Sequence, residues 1–92
     1  PYQVMLTSFE GFEVAWAMAD MGNPNSLSDA GVGALALHAC IEGAWLNVKI
    51  NSTDVKKHPR VEEILESGRE LRKRAEKTKN GILDRVNEKI GP

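Results

Sequence analysis

Cysteine is almost missing from this 92-residue chain: Cys40 stands alone. A single cysteine excludes a disulfide framework, no cluster of metal-ligand spacing accompanies it, and a reducing, cytoplasmic setting fits. Aromatic residues are few, and only Trp16 and Trp45 are candidates for stacking on bases. Both lie on apolar stripes, so a nucleic-acid partner is not expected. Basic residues are scarce in the first 53 positions, where Lys49 faces five acidic residues, whereas positions 54 to 92 hold eleven basic and eight acidic ones. The positive half interleaves both signs at helical spacing, the pattern of a solvated helix face. No charged segment followed by an apolar run and a small-residue cleavage site is present, and His38 and Glu42 interrupt the longest apolar stretch, so a soluble chain with no membrane partner is expected. Alternating strand-like runs, internal repeats and low-complexity linkers are also lacking. The glycines of Gly31-Val32-Gly33 do not follow a strand, which argues against a phosphate-cradling loop.

What is present is helical periodicity. Tyr2, Met5, Phe9, Phe12, Trp16 and Ala19 recur at steps of three and four, predicting a helix over about 2–21 with a core-facing stripe. Gly22 is expected to close it in the left-handed conformation, and Pro24 to prevent its continuation. Ser26 and Asp29 have the form of a capping box, which puts the next helix start near Leu27. In that helix Leu27, Gly31, Ala34, His38, Ile41, Trp45 and Val48 form one seam, while apolar or small residues fill most other faces. Such a helix is expected to be buried on nearly every side, with Gly33 and Gly43, each costing ~1 kcal/mol relative to Ala, allowing neighbouring backbones to approach. After a polar break at 51–58, Pro59 suits the first turn of a third, amphipathic helix carrying Val61, Ile64, Leu65, Leu71, Ala75, Ile82 and Val86. Pairs such as Glu66 with Arg69 and Glu70 with Arg74 support it, and Gly68 and Asn80-Gly81 are its candidate bends. The fold class is all-α: a bundle of long helices. Together the flanking helices present too few seams to surround the central one, so an oligomer is expected, the other source of cover being a missing N-terminal half.

Two stretches of the central region carry a resemblance: Gly22-Asn23-Pro24-Asn25-Ser26-Leu27-Ser28-Asp29-Ala30-Gly31-Val32 and Gly43-Ala44-Trp45-Leu46-Asn47-Val48-Lys49-Ile50-Asn51. Together they resemble the formiminotetrahydrofolate cyclodeaminase domain, found alone or fused in formiminotransferase-cyclodeaminase. The same domain family includes a bacterial methenyltetrahydrofolate cyclohydrolase. The similarity covers about the C-terminal half of that domain, which with the start at Pro1 suggests a fragment or processed piece of a larger helical domain. The resemblance implies a one-carbon folate enzyme, dimeric and built from helices, that cyclises 5-formiminotetrahydrofolate to 5,10-methenyltetrahydrofolate and releases ammonia. It implies a tetrahydrofolate derivative as substrate and no permanently bound cofactor or metal. A non-catalytic helical assembly module is the alternative from a different class.

Asp29 is the ionisable group of the first motif. As a cap it satisfies a backbone donor, and a helix N-terminus favours its charge by ~0.3–1 kcal/mol, which suits an acceptor for the donor edge of a pterin better than a proton shuttle. Asn47 and Asn51, four residues apart, share a helix face and either orient a ligand or bond a neighbouring element. Asn23, Asn25, Ser26 and Ser28 are candidate lining residues, though turn-making explains each. His38 on the apolar seam reads first as a core histidine and only weakly as a catalyst. His58 reads as a loop residue, and Lys56, Lys57 and Arg60 as a solvated cluster that would reach a glutamate tail.

Overall fold

The computed structural model describes residues 1–53 and 58–91, and among them the regular structure is entirely helical. Helix α1 spans Tyr2–Glu10, α2 Phe12–Met21, α3 Pro24–Ser52 and α4 Pro59–Ile90. The α1 and α2 segments occupy the place of the single helix predicted over 2–21. They are divided at Gly11, whose backbone remains right-handed helical (φ −63°, ψ −21°). Gly11 sits against Leu37 of α3: a Cβ there would come within 2.8 Å of a Leu37 methyl. The arm bends at this crossing and does not stop.

The α2–α3 junction is shorter than the sequence suggested. Gly22 is extended (φ −73°, ψ 139°) and not left-handed. Asn23 caps α3, its Oδ1 accepting from the Ser26 backbone N–H at 3.0 Å, with Pro24 in the first turn. The capping box expected from Ser26 and Asp29 is therefore not the helix start. Asn caps as well as Ser does, and proline is favoured just inside a helix because its absent N–H is not missed there. At the other break, α3 ends with Thr53 as its C-cap, and His58 caps α4 by accepting the Arg60 N–H at its Nδ1. Lys56 and Lys57 lie outside the described residues.

Short connections make α3 run antiparallel to both the α1–α2 arm and α4, and every pair of arms touches. The core is the sum of three seams: Met5, Phe12, Ala15 and Ala19 from the first arm, Leu27, Ala34, Ile41, Trp45 and Val48 from α3, and Leu71, Ala75, Ile82 and Val86 from α4. The α3 seam read from the sequence is the one that is buried, except at His38, which is half-buried. The aromatic stripe of the first arm is core, with Phe9 and Phe12 meeting edge to face at 5.6 Å. α4 passes unbroken through Gly68 and Gly81, which face Trp45 and Trp16. Among the predicted ion pairs, Arg69 meets Glu66 at 2.8 Å, whereas Arg74 lies over the Phe9 ring, 4.9 Å from its centroid.

The opposite side of α3 is not covered within this chain, as expected of two flanking arms that present one seam each. Val32, Leu35, Leu46 and Ile50 are each more than half exposed. A Cβ built at Gly33 or Gly43 would meet nothing within 4 Å, so neither glycine admits a neighbour within this chain. By length and composition Asn25–Ser52 also passes for a membrane span: an 18-residue window within it has a mean hydropathy of 1.2, with 33% of that window buried, so His38 and Glu42 do not break the stretch as the sequence suggested; the core helix of a soluble bundle passes the same test of length and composition.

Candidate functional site: an apolar groove beside Asp29

Where the α1–α2 arm crosses α3, a groove of about 300 Å³ remains open. Val14 and Met18 form one wall and Gly33, Ala36, Leu37 and Cys40 the other, with Asp29 the only charged residue of its lining among the described residues. The groove exists because Gly11 and Gly33 remove side-chain bulk at the crossing and Ala36 adds little. Asp29 lies on the second turn of α3, beyond the N-terminal turn that Asn23 caps. Free of the capping role, its exposed carboxylate is an acceptor at the head of an apolar slot. That arrangement suits a flat, largely apolar ligand with a donor edge.

The remaining residues of the first motif cluster nearby. Asn23 is occupied by its cap, and Ser28 Oγ donates to the Asn25 carbonyl at 3.1 Å. Both bonds are local and turn-forming. Asn47 and Asn51 are exposed, not buried as amides needing internal partners. They lie 18 and 22 residues along the same helix from Asp29, or about 27 and 33 Å at 1.5 Å per residue. One chain therefore does not bring the two motifs together.

His38 is absent from the groove. Its Nε2 lies 3.9 Å from Glu42 Oε1, and Glu42 is held by Arg72 of α4 through two bonds, Nε to Oε1 at 2.9 Å and the guanidinium to Oε2 at 2.7 Å. The hydrogen bonds from Arg72 hold the Glu42 carboxyl below the usual carboxylate range, against partial burial, and Glu42 in turn raises Arg72. Arg72 also stands over the Trp45 ring at 5.5 Å. This Glu42–Arg72–Trp45 group was not legible as a site. The spacing of His38 and Glu42 signals their contact, but nothing local points to Arg72, thirty residues away. It borders a wider cleft of about 730 Å³ between α3 and α4, lined also by Lys49, Ser52 and Thr53. Arg60 is exposed near the start of α4 and lines neither opening.

An all-helical scaffold with an acidic group at the head of an apolar groove defines the class: an all-α bundle of long helices. The formiminotransferase-cyclodeaminase family matches residues 1–80, and the chain belongs to that family. No curated protein and no solved structure matches it.

Proposed function

We propose that the chain is part of a one-carbon folate enzyme that cyclises 5-formiminotetrahydrofolate. In that reaction N10 adds to the formimino carbon and gives up its proton, the former imine nitrogen takes up that proton and one more from water or an acid, and its bond to the carbon breaks so that it leaves as ammonia and the carbon keeps a positive charge shared with N5 and N10. 5,10-Methenyltetrahydrofolate remains. The observation that carries the reading is the Asp29 groove, to which the first motif of the family resemblance contributes Asp29 and Ala30. The Asp29 carboxylate accepts from the amino and ring N–H edge of the pterin, while Val14, Met18 and Leu37 cover its faces. Orientation of N10 against the formimino carbon is the main contribution such a groove makes, since holding reacting atoms in line removes much of the entropic barrier. Asn25 and Ser28 are secondary ligand contacts in this reading, whereas Asn47 and Asn51, expected from the sequence to join them, lie too far along α3 to reach the same ligand within one chain.

Cyclohydrolase chemistry acts on the same folate scaffold and would use the same groove. The non-catalytic assembly reading draws support from the uncovered face of α3 and from the absence, among the described residues, of any buried charged side chain. Titration of the chain with 5-formyltetrahydrofolate, a stable analogue of the substrate, tests the proposal, followed by assay of ammonia released from the formimino compound. Saturable binding that Asp29→Ala abolishes supports a folate site; no binding at millimolar ligand removes it. Release of ammonia separates cyclodeaminase from cyclohydrolase.

A further inference from the structure

We infer that Gly33 is a specificity-determining residue of the Asp29 groove, and that the gap it leaves in α3 receives the one-carbon group on N5 of the folate. The inference rests on the folate reading and adds to it which part of the substrate meets which part of the groove.

The first observation is that nothing within the fold calls for glycine at position 33. Among the described residues only Gly91 has a positive φ, so the Gly33 backbone suits any L residue. A Cβ built on it would meet nothing within 4 Å. Gly11 and Gly68 differ in this respect, since a Cβ at either would run into Leu37 or Trp45. Glycine inside a helix is less favourable than alanine because a more flexible backbone has to be ordered, so position 33 forgoes stability that alanine would supply.

The second observation is where the gap lies. Asp29, Gly33 and Leu37 follow one another at steps of four, which puts them on one ridge of α3, and all three line the groove. Ala36 and Cys40 belong to the neighbouring row. The ridge therefore carries a carboxylate at one end, a branched apolar side chain at the other and a space one side chain wide between them. Gly43 has equally open surroundings on the same helix but lies outside the lining.

The third observation is a match in length. Asp29 and Gly33 stand about 6 Å apart along the helix axis, roughly the distance from the amino and N3 edge of a pterin to its N5. A ligand whose donor edge meets Asp29 and whose long axis follows the groove brings N5 to the gap. There the formimino carbon takes the space of the absent Cβ, while Val14 and Met18 cover the opposite face of the ring. A tetrahydrofolate without an N5 substituent leaves the gap unfilled. A methyl group at position 33 would therefore obstruct the substituted folate and barely touch the unsubstituted one.

Gly33→Ala and Gly43→Ala, each in the intact chain, test the assignment. Both variants should melt roughly 2–8 °C above the parent, as expected for alanine replacing an unconstrained helical glycine in a domain of this size. In calorimetric titration Gly33→Ala weakens 5-formyltetrahydrofolate at least tenfold, the effect of forcing a methyl group into occupied space, and weakens tetrahydrofolate less than threefold. Gly43→Ala leaves both affinities within twofold of the parent. A lowered Tm in Gly33→Ala would show that protein fills the gap, and it overturns the assignment. Unchanged binding of the formyl compound, equal losses for the two ligands, or an equal loss in Gly43→Ala does so as well. Failure of the wild-type chain to bind 5-formyltetrahydrofolate overturns the folate reading and this inference together, whereas wild-type binding that survives Gly33→Ala overturns this inference alone.

Discussion

Gly68 lies beneath the indole of Trp45: a Cβ added to it would come within 2.8 Å of the ring carbon Cε3. Trp45 is buried, and its ring spans the α3–α4 interface because α4 has no side chain at that point. The glycine looked like a bend in an amphipathic helix, yet α4 runs through it without interruption.

Gly68→Ala is therefore expected to destabilise the fold although alanine is the better helix former. Overpacking against a rigid ring costs about 1–3 kcal/mol, and the gain in helix propensity offsets ~1 kcal/mol of it. A net loss of about 1 kcal/mol lowers Tm by roughly 4–8 °C in a domain of this size. Thermal melts followed by circular dichroism check this, and an unchanged or raised Tm would show that Trp45 can move aside.

Asn23→Ala should cost about 1 kcal/mol through loss of the α3 cap, while Asp29→Ala leaves stability within about 0.5 kcal/mol. Urea unfolding of the two variants distinguishes the observed cap from the capping box. Equal losses, or a larger loss at Asp29, would restore the box.

The Glu42–Arg72 pair gives stability an acid-side pH dependence. The folded-state carboxyl of Glu42 lies below its ordinary value of 4.5, so its contribution is complete above that value and is lost as pH falls through the folded pKa. Both side chains are more than a third exposed, which limits the effect to about 0.5–1 kcal/mol at neutral pH. Glu42→Gln should show that deficit near pH 7 and converge with the parent in strongly acid solution, as read by urea midpoints across pH. A deficit that persists unchanged at low pH would assign it to packing and not to charge.

Asp29→Asn should weaken 5-formyltetrahydrofolate binding about tenfold, since a charged acceptor contributes about 1.5 kcal/mol more than a neutral one in such a contact. Calorimetric titration measures it, and the pH dependence of turnover should keep its shape. Loss of one limb of the pH profile with binding intact would make Asp29 a proton-transfer group instead.

The sequence by itself determined the three seams, because a helix repeats at 3.6 residues and burial selects one side of it; Met5, Ile41 and Ile82 fall where the period puts them. It also determined the family, through two motifs at a fixed separation. Tertiary structure decided which of several local choices won. Asn23 and Ser26 are both good caps, and packing of Leu27 against the end of α2 selected the earlier one, with Leu27 carbons 3.3 Å from the Cβ position of Gly22. Gly33, Gly43 and Gly68 look alike in sequence, yet only Gly68 receives a neighbour, because a close approach depends on where another helix lies and not on the glycine. Arg72 reaches Glu42 for the same reason: their thirty-residue separation is closed by the antiparallel α3–α4 pairing, a contact that no local period encodes.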